Sequence, residues 1–347
     1  VANTPILKGL GDILAAGDAW GKGEDKGISI NLEFVSANPT GPLHVGHGRG
    51  AAVGDALARV LRLAGYTVTC EYYLNDAGRQ VDTLATSIWV RYLEICAAHG
   101  VSVDVPAFPE DGYQGEYVID MAQIYFDVHG ETPSQSAPDM EALKAFGIEQ
   151  AVNTIKHTLS ELGVTFDLFY SERSLHDSGA LARAVEKLRS RGELYESEGA
   201  LFFASTKYGD EKDRVVVRAN GAPTYFNADI AYHLDKIERG FDHLIDIWGA
   251  DHHGYVPRVK AAIESFGKAP EQFEALLVQF VSLVSGDETL AMGKRSGNFV
   301  TLQDLIDQVG ADVTRWFFIA KSHDSALDFD MDIALSADPR ENPARYA

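Results

Sequence analysis

The chain has 347 residues, 46% of them hydrophobic, and a formal net charge of −21 at pH 7. Its length and apolar content suit two packed units, or one domain with a large insertion, and argue against global disorder. The acidic charge argues against a protein that coats nucleic acid through its overall field. No apolar run reaches bilayer-spanning length, and Cys70 and Cys96 form no CxxC pair for a zinc site. We therefore expect a protein of the reducing cytoplasm with no membrane partner.

The first part of the chain alternates strand and helix patterns. Residues 28–35 are β-branched and alternating, as in a strand. Residues 45–64 repeat apolar side chains at helical spacing and end at Gly65. A second strand over 66–74 and a second helix over 77–98 follow. This order predicts a parallel sheet with crossover helices.

The alternation breaks between about residues 105 and 214, where prolines punctuate the chain and two helices are predicted over 141–162 and 178–191. We interpret this stretch as an insertion between two halves of a nucleotide-binding fold. Strand and helix patterns then resume over residues 215–219, 244–254 and 257–266. The apolar run 275–284 reads as a buried strand or helix.

A histidine pair stands where the first strand gives way to a helix, in the sequence PLHVGHG. A helix N-terminus favours phosphate, and His44 and His47 share one helix face, where both imidazoles can reach the same anion. Gly46 leaves room for a flat base to approach the backbone. The pair is also compatible with half of a metal site, although suitable cysteine and carboxylate partners are absent, so we predict no metal site. Two ordinary histidines at a helix start are the other alternative.

A basic, glycine-flanked loop lies far downstream, in the sequence MGKRSGN. Met292 begins it, and its adjacent cations, Lys294 and Arg295, suit a mobile clamp that closes over a triphosphate. Taken alone, the loop could equally be a basic surface turn. Together with the HxGH sequence upstream, it resembles the two signature motifs of class I aminoacyl-tRNA synthetases.

Within that class, the sequence is similar to the bacterial arginine enzymes. The similar segments are residues 33–66, 72–80, 209–218, 223–242, 248–258 and 292–302. The resemblance implies ATP-dependent activation of L-arginine and its transfer to tRNA(Arg), with Mg²⁺ accompanying ATP, by a cytoplasmic monomer. It also implies an α/β fold with a Rossmann-like, doubly wound parallel sheet, an inserted connective domain and a small helical stem-contact region.

The resemblance implies a role for particular positions. It assigns catalysis to His44, His47, Lys294 and Arg295. It assigns ATP binding to His44, Gly46, His47, Met292 and Lys294. The arginine substrate would be held by Glu33, Asn38, Tyr225, Asp229 and Asp251. Carboxylates in this set are chemically apt, since a guanidinium offers five donors in a fixed fork.

The resemblance also suggests how the chain divides. We predict a linker remnant over 1–27, the first half of the nucleotide-binding fold over 28–104, the connective insertion over 105–214, the second half over 215–285, and the mobile signature loop with the start of a helical region over 286–347. The family has a separate N-terminal tRNA-contacting domain and a C-terminal anticodon-binding domain. Since little of either is present in this sequence, we expect an activation core.

Two departures from the family pattern concern the phosphates. A lysine is usual at the first position of the second signature or just ahead of the first signature, and here those positions hold Ala291 and Gly41. Gly293 replaces the signature serine, so Lys294 and Arg295 remain to neutralise the phosphates.

Two other functions stay open at this stage. One is a related HxGH ligase or nucleotidyltransferase that acts on a metabolite without tRNA, which would suit the acidic charge. The other is an inactive paralogue that binds arginine, which would suit the missing lysine.

Overall fold

The computed structural model describes residues 4–130, 139–286, 288–289 and 300–347. Its helices are α1 (Thr4–Ala16), α2 (Val45–Leu63), α3 (Arg79–Ala98), α4 (Glu116–His129), α5 (Met140–Glu161), α6 (Glu172–Asp177), α7 (Ala180–Ser190), α8 (Tyr225–Glu238), α9 (Val256–Ser265), α10 (Leu302–Val309), α11 (Ala311–Ile319), α12 (Met331–Leu335) and α13 (Pro343–Tyr346). Its strands are β1 (Ser29–Glu33), β2 (Thr67–Leu74), β3 (Leu168–Ser171), β4 (Leu194–Ser197), β5 (Ala200–Phe203), β6 (Arg214–Val217), β7 (His243–Gly249), β8 (Phe273–Val278), β9 (Val281–Ser285), β10 (Glu288–Thr289) and β11 (Leu327–Asp330). None of the helices in these ranges is long and apolar enough to cross a membrane.

The central sheet has five parallel strands in the order β3-β2-β1-β7-β8. From β1 the chain winds outward through β2 to β3, then returns to place β7 and β8 on the other side of β1. The winding direction therefore reverses between β1 and β7. In sheets of this kind, ligands bind beyond the carboxyl ends of the strands at such a switch point. The predicted α/β fold with a doubly wound parallel sheet is confirmed.

Strand β1 is buried on both faces, but the two faces differ in chemistry. Ile30 and Leu32 point with Phe34 to an apolar side, whereas Asn31 and Glu33 point to the opposite side, because side chains alternate along a strand. Helix α2 covers the apolar side and helix α8 covers the polar side. The polar side of β1 is thus buried beneath a helix and not exposed to water.

A glycine in α2 sets how closely this helix approaches the sheet. A Cβ atom at Gly54 would stand 2.3 Å from Cγ of Phe34, which is far inside van der Waals contact. The absence of a side chain at Gly54 therefore lets the two elements touch. This contact sets the distance between the middle of α2 and the end of β1.

Several strands join different partners from those that the sequence predicted. Strand β3 lies within the predicted insertion, yet it extends the central sheet beside β2. Strand β6 forms a small antiparallel sheet with β4 and β5 instead of joining the parallel one. The apolar run 275–284 is split between β8 and β9, and β9 pairs with β10 and β11. Short strands such as β3 and β6, of four residues each, carry too little alternation to reveal their partners.

Candidate functional site

Two neighbouring cavities open beyond the carboxyl ends of β1 and β7. The first, here called the acidic cavity, has a volume of about 370 Å³. Its lining includes Glu33, Asn38, Tyr73, Glu172, Tyr225 and Asp229. The second, here called the histidine cavity, has a volume of about 430 Å³, and its lining includes His44, Gly46, His47, Asp251, His252 and Phe280. The two cavities share a wall, made by residues just after β1 (Val35, Ser36 and Asn38) and around the end of β7 (Ile247, Trp248, Gly249 and His252).

The chain leaves β1 through a strained turn at this shared wall. Val35 and Ser36 adopt φ angles of 69° and 40°, a region that a β-branched residue such as valine rarely enters. The turn is held by Ser36, whose hydroxyl donates to Oε1 of Glu33 at 2.9 Å and accepts from the backbone N of Tyr73 at 3.1 Å. Asn38, which donates to Oε1 of Gln80 at 2.8 Å, is thereby placed between the two cavities.

His44 and His47 begin helix α2 as a reciprocal cap. Nδ1 of His44 accepts from the backbone N of His47 at 3.4 Å, and Nδ1 of His47 accepts from the backbone N of His44 at 3.3 Å. The rings stack with centroids 3.6 Å apart and planes 17° apart. Because both Nδ1 atoms act as acceptors, the neutral form of each ring carries its proton on Nε2. Both rings line the histidine cavity.

The second signature loop lies outside the described residues, so the structure gives no position for Met292, Lys294 or Arg295. The residues that follow it return to the histidine pair. His44 forms an isolated bridge with Thr301, and the backbone N of Leu302 donates to the carbonyl of Leu43 at 2.8 Å. The chain downstream of the signature is therefore attached directly beside His44.

Gly41, just ahead of the first signature, packs closely against Tyr117. A Cβ atom at Gly41 would lie 2.8 Å from Cζ of Tyr117. That ring is held in place because its hydroxyl donates to the carbonyl of Thr40 at 3.0 Å. A side chain at position 41 would have to displace the ring.

Asp229 is the carboxylate of the acidic cavity whose ionisation is most sensitive to its surroundings. The pKa of Asp229 is raised to about 6, chiefly by burial. The hydroxyl donated by Tyr255 and the charge of His233 oppose this rise, whereas the carboxylates of Glu172 and Glu33 contribute to it. At neutral pH this group is mostly ionised and has no cationic partner within ion-pair distance in the described part of the chain. It is an acceptor for a cation that enters the cavity.

Glu172 is a second carboxylate of this cavity, and the sequence did not indicate it. It lies in the first turn of α6, is buried, and burial raises its pKa although the hydroxyl of Tyr73 donates to it. A glutamate at a helix start normally interacts with the helix dipole, so its type and position carry no signal of binding. Only the fold brings it opposite Asp229.

A row of three carboxylates runs beneath the acidic cavity. Glu71 of β2, Glu33 of β1 and Asp246 of β7 are direct register partners on adjacent parallel strands. All three are buried. Lys236 of α8, itself fully buried, donates to Glu33 at 2.6 Å and to Asp246 at 2.8 Å. We call Glu71, Glu33 and Asp246 the carboxylate row.

Helix α8 and its C-terminal residue supply the counter-charges of the carboxylate row. Arg239 makes a two-pronged contact with Glu71 at 2.6 and 2.9 Å. Burial alone would raise the pKa of Asp246, but the charge of Lys236 and the hydrogen bond from His233 outweigh it and lower this pKa to about 2. Burial likewise opposes the charge of Lys236, yet Asp246 and Glu33 raise its pKa. Lys236 and Arg239 thus place two positive charges against the three carboxylates of the row.

Comparison with known proteins identifies the family to which this site belongs. The family model described as "tRNA synthetases class I (R), catalytic domain" matches residues 10–326. The chain belongs to this family. The arginine--tRNA ligase of Hydrogenovibrio crunogenus is 47% identical, over 97% of this chain and 63% of its own length. That of Syntrophotalea carbinolica is 49% identical, over 97% of this chain and 60% of its own length. The chain thus spans less than two-thirds of the length of the curated relatives it matches.

Solved structures agree with this assignment to the class I arginine synthetases. A structure described as an arginyl-tRNA synthetase from Campylobacter jejuni superposes with a TM-score of 0.89 at 39% identity, covering all of this chain and 74% of that one. The Thermus thermophilus arginyl-tRNA synthetase has a TM-score of 0.70 at 20% identity and supports the fold alone. The synthetase family predicted from the two signatures is confirmed.

Most of the residues that the resemblance to the synthetases selected lie in two groups. Glu33, Asn38, Tyr225 and Asp229 line the acidic cavity, and His44, Gly46 and His47 line the histidine cavity. Asp251 was expected with the first group, but it lies in a short 3-10 helix after β7 and lines the histidine cavity. Its role in binding arginine therefore stays a prediction. Of the first group, Tyr225 is 74% exposed and lies at the mouth of the acidic cavity.

Proposed function

We propose that this chain catalyses the reaction of an arginine--tRNA ligase: it activates L-arginine with ATP and transfers it to tRNA(Arg). The observation that carries this proposal is the joining of an acidic cavity to a histidine-capped helix start, across one shared wall at the switch point of the sheet. Arginine in the first cavity and ATP in the second would bring their reacting groups together at that wall.

The acidic cavity suits a guanidinium group. Asp229 and Glu172 have no cation within ion-pair distance among the described residues except His176, which lies 3.8 Å from Glu172. Glu33 already accepts from Lys236 and Ser36, but a carboxylate has about four lone-pair sites and can accept further donors. A planar fork of donors matches several carboxylate oxygens better than the point charge of a lysine side chain would. Asn38 and Tyr225 would complete the contacts around the substrate.

The histidine cavity suits the phosphates of ATP. The Nε2–H groups of His44 and His47 would donate to phosphate oxygens, and Gly46 would leave space against the helix start. In the first step, an oxygen of the arginine carboxylate forms a bond to the α-phosphorus of ATP. At the same time the bond between the α-phosphorus and the oxygen that bridges the α- and β-phosphates breaks. Pyrophosphate leaves with the electron pair of that bond. We assign Lys294 and Arg295 to this leaving group and Met292 to ATP binding, because the residues after them return to His44.

In the second step, a hydroxyl of the terminal tRNA ribose attacks the arginyl carbonyl carbon, AMP leaves, and the hydroxyl proton is released. Mg²⁺ would neutralise phosphate charge when it accompanies ATP. Within the ranges that the structure describes, no group of three or more His, Cys, Asp or Glu side chains could hold a metal ion. A monomer acting in the cytoplasm remains a prediction from the sequence.

An exchange assay with labelled pyrophosphate tests this proposal against its alternatives. We expect label to enter ATP only when arginine is present, most rapidly with added tRNA(Arg). Exchange that depends on another acid and ignores tRNA would instead support a ligase that acts on a metabolite. Arginine binding without exchange under any condition would support an inactive paralogue.

A further inference from the structure

Two like charges lie side by side at the heart of the sheet. Glu33 and Asp246 are register partners on β1 and β7, the two strands that meet at the switch point. Neighbouring strands are about 4.8 Å apart, and like charges in directly opposed positions destabilise a sheet. Both carboxylates are buried, so water cannot screen their repulsion.

Lys236 resolves this repulsion and also determines how Glu33 faces the acidic cavity. Its Nζ atom lies 2.6 Å from Oε2 of Glu33 and 2.8 Å from Oδ1 of Asp246. The second oxygen of Asp246, Oδ2, forms a hydrogen bond with Nε2 of His233 at 2.8 Å, and this bond keeps Asp246 from turning away from Lys236. With Oε2 of Glu33 fixed from below, its Oε1 atom is held near Ser36 at the cavity wall.

We infer that Lys236 is a positioning residue for arginine recognition, which acts through Glu33 and has no contact with the substrate. Lys236 does not line the acidic cavity, whereas Glu33 does. The inference rests on the proposed function and adds a residue to it. Helix α8 thus contributes to arginine recognition in two ways. Asp229 lines the cavity, and Lys236, two turns further along the helix, orients Glu33.

Arg239 offers a matched control. It belongs to the same helix end and neutralises the same carboxylate row, but it contacts Glu71 and Asp235, not Glu33. Neither Glu71 nor Arg239 lines the acidic cavity. If the two cations served only to neutralise the carboxylate row, Lys236→Met and Arg239→Met would have similar effects on arginine binding. A positioning role predicts that only the first variant weakens arginine binding.

The experiment is a double-mutant cycle on arginine affinity, measured by calorimetry with the full chain. Wild type, Glu33→Gln, Lys236→Met and the double variant are titrated with L-arginine and, separately, with ATP. We expect Lys236→Met to lower arginine affinity at least roughly tenfold while ATP affinity changes less than about threefold. In the Glu33→Gln background, the same substitution should change arginine affinity less than about threefold, because its target is gone.

Three results would overturn the inference: additive effects of the two substitutions, equal losses in Lys236→Met and Arg239→Met, or equal losses of arginine and ATP affinity. If Lys236→Met does not fold, the cycle is run with Lys236→Met/Asp246→Asn, which removes one cation and one anion. Failure of that pair to fold would assign Lys236 to the fold itself and also overturn the inference. A wild-type chain that binds no arginine would instead refute the proposed function.

Discussion

His44 and His47 each accept a hydrogen bond from the other's backbone N–H group, and their rings lie stacked at a centroid distance of 3.6 Å. The two imidazoles therefore cap the start of helix α2 through their Nδ1 atoms, and both line the histidine cavity. Under the proposed function, a substitution of either ring should therefore affect helix stability and phosphate chemistry together.

The two effects can be separated at His44. His44→Ala should slow adenylate formation by roughly two to three orders of magnitude, the usual result of losing a charge contact in the transition state. It should also destabilise the chain by about 1 kcal/mol through the lost cap. His44→Asn should be equally slow but about as stable as wild type, because asparagine is a strong N-cap. Thermal unfolding and pyrophosphate exchange measure the two quantities, and near-normal exchange in His44→Asn would refute the phosphate role.

Asp229→Asn should weaken arginine binding. It keeps the shape of the side chain but removes its charge, and losing a buried charged pairing costs about 2–5 kcal/mol. Arginine affinity should fall well over tenfold, while ATP affinity holds. L-citrulline, the neutral analogue of arginine, should be affected much less. Equal weakening of arginine and ATP in calorimetry would assign Asp229 to the fold.

Asp251→Asn tests the residue that the structure separates from the others. Because Asp251 lines the histidine cavity, we expect its substitution to change arginine affinity less than about threefold, well below the loss expected for Asp229→Asn. The same titrations decide the point. A loss as large as that of Asp229→Asn would mean that Asp251 reaches the substrate when arginine is bound.

Arginine binding should weaken as pH falls through about 6. Burial raises the pKa of Asp229 to about 6 in the presence of Tyr255, His233, Glu172 and Glu33. Its charged form is the one that pairs with a guanidinium, so affinity should be full above this pKa and fall up to roughly tenfold per pH unit below it. Calorimetry in two buffers of different ionisation heat should detect proton release on binding at about pH 5. If arginine affinity still falls with pH in Asp229→Asn, the dependence comes from Glu172.

Arg49 should be critical for stability. Its fully buried guanidinium donates to the carbonyls of Gln279 at 2.9 Å, Ser322 at 2.8 Å and Ser325 at 2.8 Å. Arg49→Met leaves these carbonyls without that donor and should cost on the order of 3 kcal/mol in the free energy of unfolding. The control is Arg59→Met, since Arg59 is largely exposed and should contribute less than about 1 kcal/mol. Urea unfolding compares them, and equal costs would contradict the prediction.

The early part of the fold is readable from the sequence because its signals are local. The strand and helix patterns over residues 28–98 correspond to β1, α2, β2 and α3. The histidine pair at the junction of β1 and α2 is likewise a contiguous motif, and the structure places it where the pattern indicates. The boundaries of the five predicted parts stay a prediction, because β3 joins the central sheet from within the proposed insertion.

The carboxylate row could not have been predicted in the same way. Glu33, Glu71 and Asp246 are widely separated in the chain, and their proximity depends on the register of strands that a single sequence does not specify. Lys236 gives no sign of its role in the sequence, because lysine is rarely buried and is normally interpreted as a solvated charge. Glu172 escaped notice for a similar reason, since a glutamate in a first helical turn is common.

The carboxylate row also bears on how the chain folds as it is synthesised. Residues 28–104 are synthesised before α8 and contain both β1 and β2, whose pairing sets Glu33 against Glu71. Their counter-ions, Lys236 and Arg239, emerge more than a hundred residues later. Until then the two carboxylates can stay charged only in contact with water, so the growing sheet must keep its polar face open. We expect residues 28–104 to persist as a hydrated folding intermediate until α8 is synthesised. The packing of α8 on the polar face of the sheet should then be one cooperative step.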